Sequence, residues 1–104
     1  MSPFSSEVLW YNTTVVPVQR IQTGVRIERQ LLKVLKGLAE YLDVSLGDLI
    51  EGISLYAFEG KAPFEQTTID VIGDLKKVYG LTLTAADSHK LTESTTSAAI
   101  ISPN

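Results

Sequence analysis

The chain reads as a mainly α-helical domain with one short β-strand, and three observations carry that reading. A strictly alternating stretch at residues 20–27 is followed at once by two runs of helical apolar spacing, and a third such run follows Pro63. With 104 residues it is one small domain, in a size range where folding often leans on a partner subunit. A homodimer is expected on size alone.

Residues 1–19 read as an N-terminal arm. A polar lead gives way to Val8-Leu9-Trp10-Tyr11 and then to Thr13-Thr14-Val15-Val16, before Pro17 removes a ladder donor. A strand here would be an edge strand or would end at the proline. Trp10 and Tyr11 are expected to anchor the arm to a core rather than to act as a stacking platform.

From Arg20 to Ile27 the residues alternate. Ile21, Thr23, Val25 and Ile27 share one face, and Arg20, Gln22, Gly24 and Arg26 the other. Such a strand must pair with something, and two helices follow it directly. The N-terminal arm and the same strand of another subunit are the two candidates.

A first helix is expected from about Glu28 to Leu42. Leu31, Leu35, Leu38 and Leu42, flanked by Leu32, Val34 and Ala39, form a wide apolar stripe, and Arg29, Lys33, Lys36 and Glu40 form the wet face. Asp43 and Val44 break it. Ser45 caps a second helix from Leu46 to about Phe58, with Asp48 near its positive end, and Leu49, Ile50, Ile53, Tyr56 and Ala57 facing inward. Gly60 is placed to stop it. Gly37 and Gly52 lie inside these helices, where each costs about 1 kcal/mol relative to alanine, and both are expected to mark close helix crossings.

Residues 61–93 read as a C-terminal helical extension. Pro63 suits the first turn of a third helix ending at Tyr79 before Gly80, with Phe64, Ile69, Ile72, Leu75 and Val78 on its apolar side. A short fourth helix near Thr84 competes with local backbone bonding by Asp87 and Ser88. Residues 94–104, without periodicity, read as a flexible tail.

The net charge is -3, but its distribution says more than its sum. Arg20, Arg26, Arg29, Lys33 and Lys36 stand against Glu28 alone between residues 20 and 36, a local +4 suited to a phosphate backbone. Between residues 37 and 60 there are Glu40, Asp43, Asp48, Glu51 and Glu59 and no basic residue. The chain has no cysteine, so disulfides and thiolate chemistry are excluded. His89 is the lone histidine, no metal-ligand or phosphate-loop spacing occurs, and no catalytic constellation can be assembled. No enzyme activity and no cofactor are expected. The start lacks a secretory pattern and no apolar run suits a membrane span, so a soluble, cytoplasmic protein is expected.

The alternating stretch Gln22-Thr23-Gly24-Val25-Arg26-Ile27, the helix end Leu38-Ala39-Glu40-Tyr41-Leu42, the turn Asp43-Val44-Ser45 and the opening Asp48-Leu49-Ile50 together resemble a ribbon-helix-helix domain of the Arc/MetJ/CopG type, over residues 20–60 as a core. The resemblance implies an intertwined homodimer with an antiparallel two-stranded ribbon that enters the major groove of double-stranded DNA. It implies base reading by Gln22, Gly24 and Arg26, of which glycine brings no side chain. It also implies phosphate contacts by Arg20 and by the backbone at Ser45, Leu46 and Gly47. The function that follows is a sequence-specific transcriptional regulator.

Three alternatives compete. Leu38 to Ile50 also resembles a helix-turn-helix, against which stands Asp43 where glycine is favoured. A dimerisation module that keeps the ribbon-helix-helix core but binds protein rather than DNA would explain Gly24, the acidic second half and the third helix within residues 61–93. An antitoxin would carry a partner-binding C-terminal segment, but residues 61–93 look foldable.

Overall fold

The computed structural model of the chain describes residues 15–93: an extended leader, then helices α1 (Arg29–Leu42), α2 (Leu46–Phe58) and α3 (Gln66–Tyr79), and a 3-10 turn at Ala85–Asp87. No β-strand occurs among the described residues. This corrects the expected fold class of one strand with helices, and with it the ribbon-helix-helix architecture and its two-stranded ribbon. Residues 15–27 make no backbone hydrogen bond to another described residue. Ile21 is 84% exposed and Val25 73%, so the face expected to be covered is open. Alternation decides which way side chains point. A ladder also needs a second backbone at about 4.8 Å, and no described segment supplies one.

The helices fall close to their expected bounds. Glu28 caps α1 rather than opening it, its Oε1 accepting from the Leu31 N–H at 2.7 Å. Ser45 caps α2, its Oγ accepting from the Asp48 N–H at 3.0 Å. The expected third helix differs at its start. Pro63 and Phe64 lie in the connection and α3 begins only at Gln66, because Phe64 packs against the core from outside the helix. The fourth helix reduces to the 3-10 turn, closed by a capping box between Thr84 and Asp87.

All three helices end in the same way. After α1, Val44 N–H donates to Ala39 C=O and Asp43 N–H to Glu40 C=O, a Schellman motif. Lys61 and Gly60 donate to Tyr56 and Ala57 after α2, and Leu81 donates to Lys76 after α3. The left-handed residue is glycine in two cases, Gly60 and Gly80, both at φ +71°. In the first it is Asp43, at φ 63°, a residue type that tolerates this region better than most.

The core is small. Leu38, Ala39 and Leu42 of α1 and Leu49 of α2 are buried together, and Leu35, Val44, Ile53, Phe64, Ile72 and Leu75 pack around them. α1 is central, touching both α2 and α3. Within α2, Ile50, Tyr56 and Ala57 are exposed despite their expected inward placement, and Leu55 and Phe58 are exposed on the opposite side. Ile69 and Val78 of α3 are likewise exposed. A helix apolar around most of its circumference belongs in an interior, so α2 is only half covered by its own chain.

The two interior glycines part company. A Cβ on Gly37 would lie 3.2 Å from Leu75 Cδ2 and 3.4 Å from Tyr79 Cε2, so it marks the α1–α3 crossing. A Cβ on Gly52 meets nothing within 4 Å, and the expected close crossing there is not found. Gly52→Ala should therefore realise the helix-propensity gain of about 1 kcal/mol, raising the melting temperature by about 4 to 8 °C. Gly37→Ala should gain less or lose stability. Thermal melts of the two variants check this ordering, and equal gains would refute it.

Candidate nucleic-acid interface

The residues expected to contact DNA fall on two structural units. Arg20, Gln22, Gly24 and Arg26 lie on the extended leader, all exposed, and Ser45, Leu46 and Gly47 open α2. The leader is not laid against a core. It is held instead by charge at two points.

Arg20 reaches α2. Its Nε donates to Glu51 Oε2 at 2.8 Å and its Nη2 to Glu51 Oε1 at 2.7 Å, a side-on bidentate pair. Asp48 adds a further favourable charge to Arg20. The leader's first arginine thus stands against α2 at Glu51, with the charge of Asp48 adding to its field. Arg26 is held elsewhere, its Nε donating to Glu93 Oε1 at 3.0 Å and its Nη2 to Glu93 Oε2. The structure therefore divides the expected site. Gln22 and Gly24 lie between the two anchors, and a Cβ at Gly24 would meet nothing within 4 Å.

Hydrogen bonding and the positive charge of each arginine hold the Glu51 and Glu93 carboxyls below the ordinary 4.5, and raise both guanidinium values in turn. All four side chains are substantially exposed, so neither pair is a strong structural clamp. In the sequence Glu51 counts only among the acidic residues between 37 and 60, and Glu93 has no role. Their partners are 31 and 67 residues away, and no local pattern signals such distant pairing.

The basic row continues onto α1. Arg29, Lys33 and Lys36 are exposed at helical spacing on one face. Lys33 Nζ stands 5.9 Å from the centre of the Tyr79 ring, within cation-π range, so it is steadied where α1 meets α3. The opposite pattern holds in α2, which carries Asp48 and Glu51 and no basic residue. Asp43 takes the left-handed turn conformation, so the sequence objection to a helix-turn-helix falls, but an acidic and apolar α2 lacks the donors a recognition helix needs. His89 is exposed and lines an open, largely apolar groove of about 410 Å³ between α1, α3 and residues 81–91. Among the described residues no group of His, Cys, Asp or Glu side chains is arranged to hold a metal ion, and no helix is long and apolar enough to cross a membrane. Trp10 and Tyr11 lie outside the described residues, as does the tail at 94–104.

A pH dependence follows from the two lowered carboxyls. A group whose value falls on folding stabilises the fold above its unfolded value, and that contribution is lost as pH drops through the folded value. At low salt, the stability difference between the native chain and a Glu51→Gln, Glu93→Gln variant should hold steady above about pH 5. It should fade as pH falls below 4.5. Urea unfolding across that range measures it, and a difference that grows on acidification would contradict the pairing.

Comparison with known proteins returned nothing: no protein-family model, no curated protein and no solved structure matches this chain.

Proposed function

We propose that this chain is a homodimeric protein that binds double-stranded DNA and regulates transcription in the cytoplasm. The observation that carries the reading is the exposed, extended leader whose Arg20 and Arg26 run directly into the exposed row Arg29, Lys33 and Lys36. Phosphate neutralisation by such clustered charge supplies most of the affinity of a DNA-binding surface, and the negative total charge does not oppose it locally. An extended basic segment is also a form that enters a DNA groove, as the arms of several DNA-binding domains do. The reading needs no strand. Arg26 and Gln22 have donors matched to guanine and adenine edges, and the first backbone amides of α2 are a place where a phosphate is favoured.

Dimerisation is supported by the uncovered half of α2. Leu55 and Phe58 are exposed, the latter at 82%, and a single chain of this size buries too little to leave such groups in water without a cost. The same face supports a second reading, a module that binds a different protein there or through residues 61–93.

Selection from a pool of random duplexes, followed by fluorescence anisotropy across salt concentrations, tests the DNA reading. Affinity should fall steeply with salt, and Arg26→Ala should weaken binding to the selected duplex about tenfold and relax its sequence preference. Absence of binding, or binding insensitive to salt, would overturn it in favour of the protein-interaction module. Sedimentation equilibrium tests the dimer separately. A dimer at micromolar concentration that dissociates on Phe58→Glu is expected, and a stable folded monomer of the native chain would refute it.

A further inference from the structure

The leader's only side-chain hydrogen bonds to the helical body, among the described residues, are the two arginine–glutamate pairs. Each presents two oxygens to the Nε and Nη2 edge of a guanidinium. That is the edge and geometry with which arginine receives a phosphate. The carboxylates come from separate places, Glu51 on α2 and Glu93 beyond the 3-10 turn. Arg20 and Arg26 are the two leader residues whose charge a nucleic acid would seek. Neither can contact a phosphate in this manner while its glutamate is in place. The side chains of both pairs are nevertheless 44% to 81% exposed, so an incoming anion can reach and replace the carboxylate.

We propose that Glu51 and Glu93 are internal competitors for nucleic acid: carboxylates that stand in for phosphate, hold Arg20 and Arg26 against the helical body, and are displaced when a duplex binds. The inference rests on the DNA-binding reading and adds its regulation. The free protein is latched with its leader arginines neutralised, and binding exchanges two internal ion pairs for contacts to the nucleic acid. Because exposed pairs are weak, the latch tunes affinity rather than abolishing it, by about two- to fivefold for each pair. Salt loosens the latch as well as the complex, so the two effects partly offset each other and the native protein has a shallower salt dependence than an unlatched variant. Glu93, at the end of the described residues, thereby acts on the leader across 67 residues of sequence.

The test is a double-mutant cycle read by anisotropy on a mixed-sequence 20-base-pair duplex. Glu93→Gln should tighten binding about two- to fivefold at low salt, and the gain should shrink as salt rises. In an Arg26→Ala background the same substitution should give no gain beyond the smaller effect of one lost negative charge. Glu51→Gln with Arg20→Ala forms the matching cycle. Equal gains with and without the arginine would show a net-charge effect only and would overturn the latch while leaving DNA binding intact. No duplex binding by the native chain or any variant would remove the DNA reading and the latch with it. The Nε–Hε resonances of Arg20 and Arg26 give an independent check in the full chain without DNA. Each should shift when its own glutamate is replaced and not when the other is, and no shift in either case would also overturn the proposal.

Discussion

The structure depends on how little one chain can enclose. Leu38, Ala39, Leu42 and Leu49 form a seam between α1 and α2, and α3 adds Ile72 and Leu75 from the other side of α1. α1 is therefore used on both flanks, and its remaining face carries Arg29, Lys33 and Lys36. α2 is used on one flank only. Three helices with a core of this size are marginal as an isolated unit, and the surplus apolar surface on α2 gives the chain a reason to associate.

A second theme is charge arranged against the order of the chain. The basic stretch at 20–36 and the acidic stretch that follows meet in space through Arg20 and Glu51, and the far end of the described chain supplies Glu93 to Arg26. Surface ion pairs contribute little to stability. Their consequence is positional, since they are what ties an otherwise unsupported leader to the helices. A contact that weak can be exchanged for another anion without disturbing the core.

Much of the helical part was legible in the sequence because its signals are local. Ser45 and Gly80 stand where the helix boundaries fall, and Gly60 follows directly after the cap of α2. The leucine spacing of α1 placed Leu38 and Leu42 inward correctly. The strand expected at 20–27 does not form, because alternation at Ile21 and Val25 reports a capacity for pairing and says nothing of whether a partner backbone is present. Pro63 misled for a related reason: its fixed φ suits a first helical turn, but the packing of Phe64 took the chain elsewhere. Of the candidate site, the arginines were legible as a basic cluster. Their glutamate partners were not, since pairs separated by 31 and 67 residues leave no mark on spacing.

Hydrogen exchange tests the central claim, that the leader is the nucleic-acid contact and the outer face of α2 the subunit contact. Exchange of residues 15–28 and 50–58 would be followed in dilute protein, in concentrated protein, and with a selected duplex. The expected result is slower exchange at 50–58 on concentration alone and slower exchange at 15–28 only when the duplex is added. Unchanged exchange in both segments under all three conditions would contradict it.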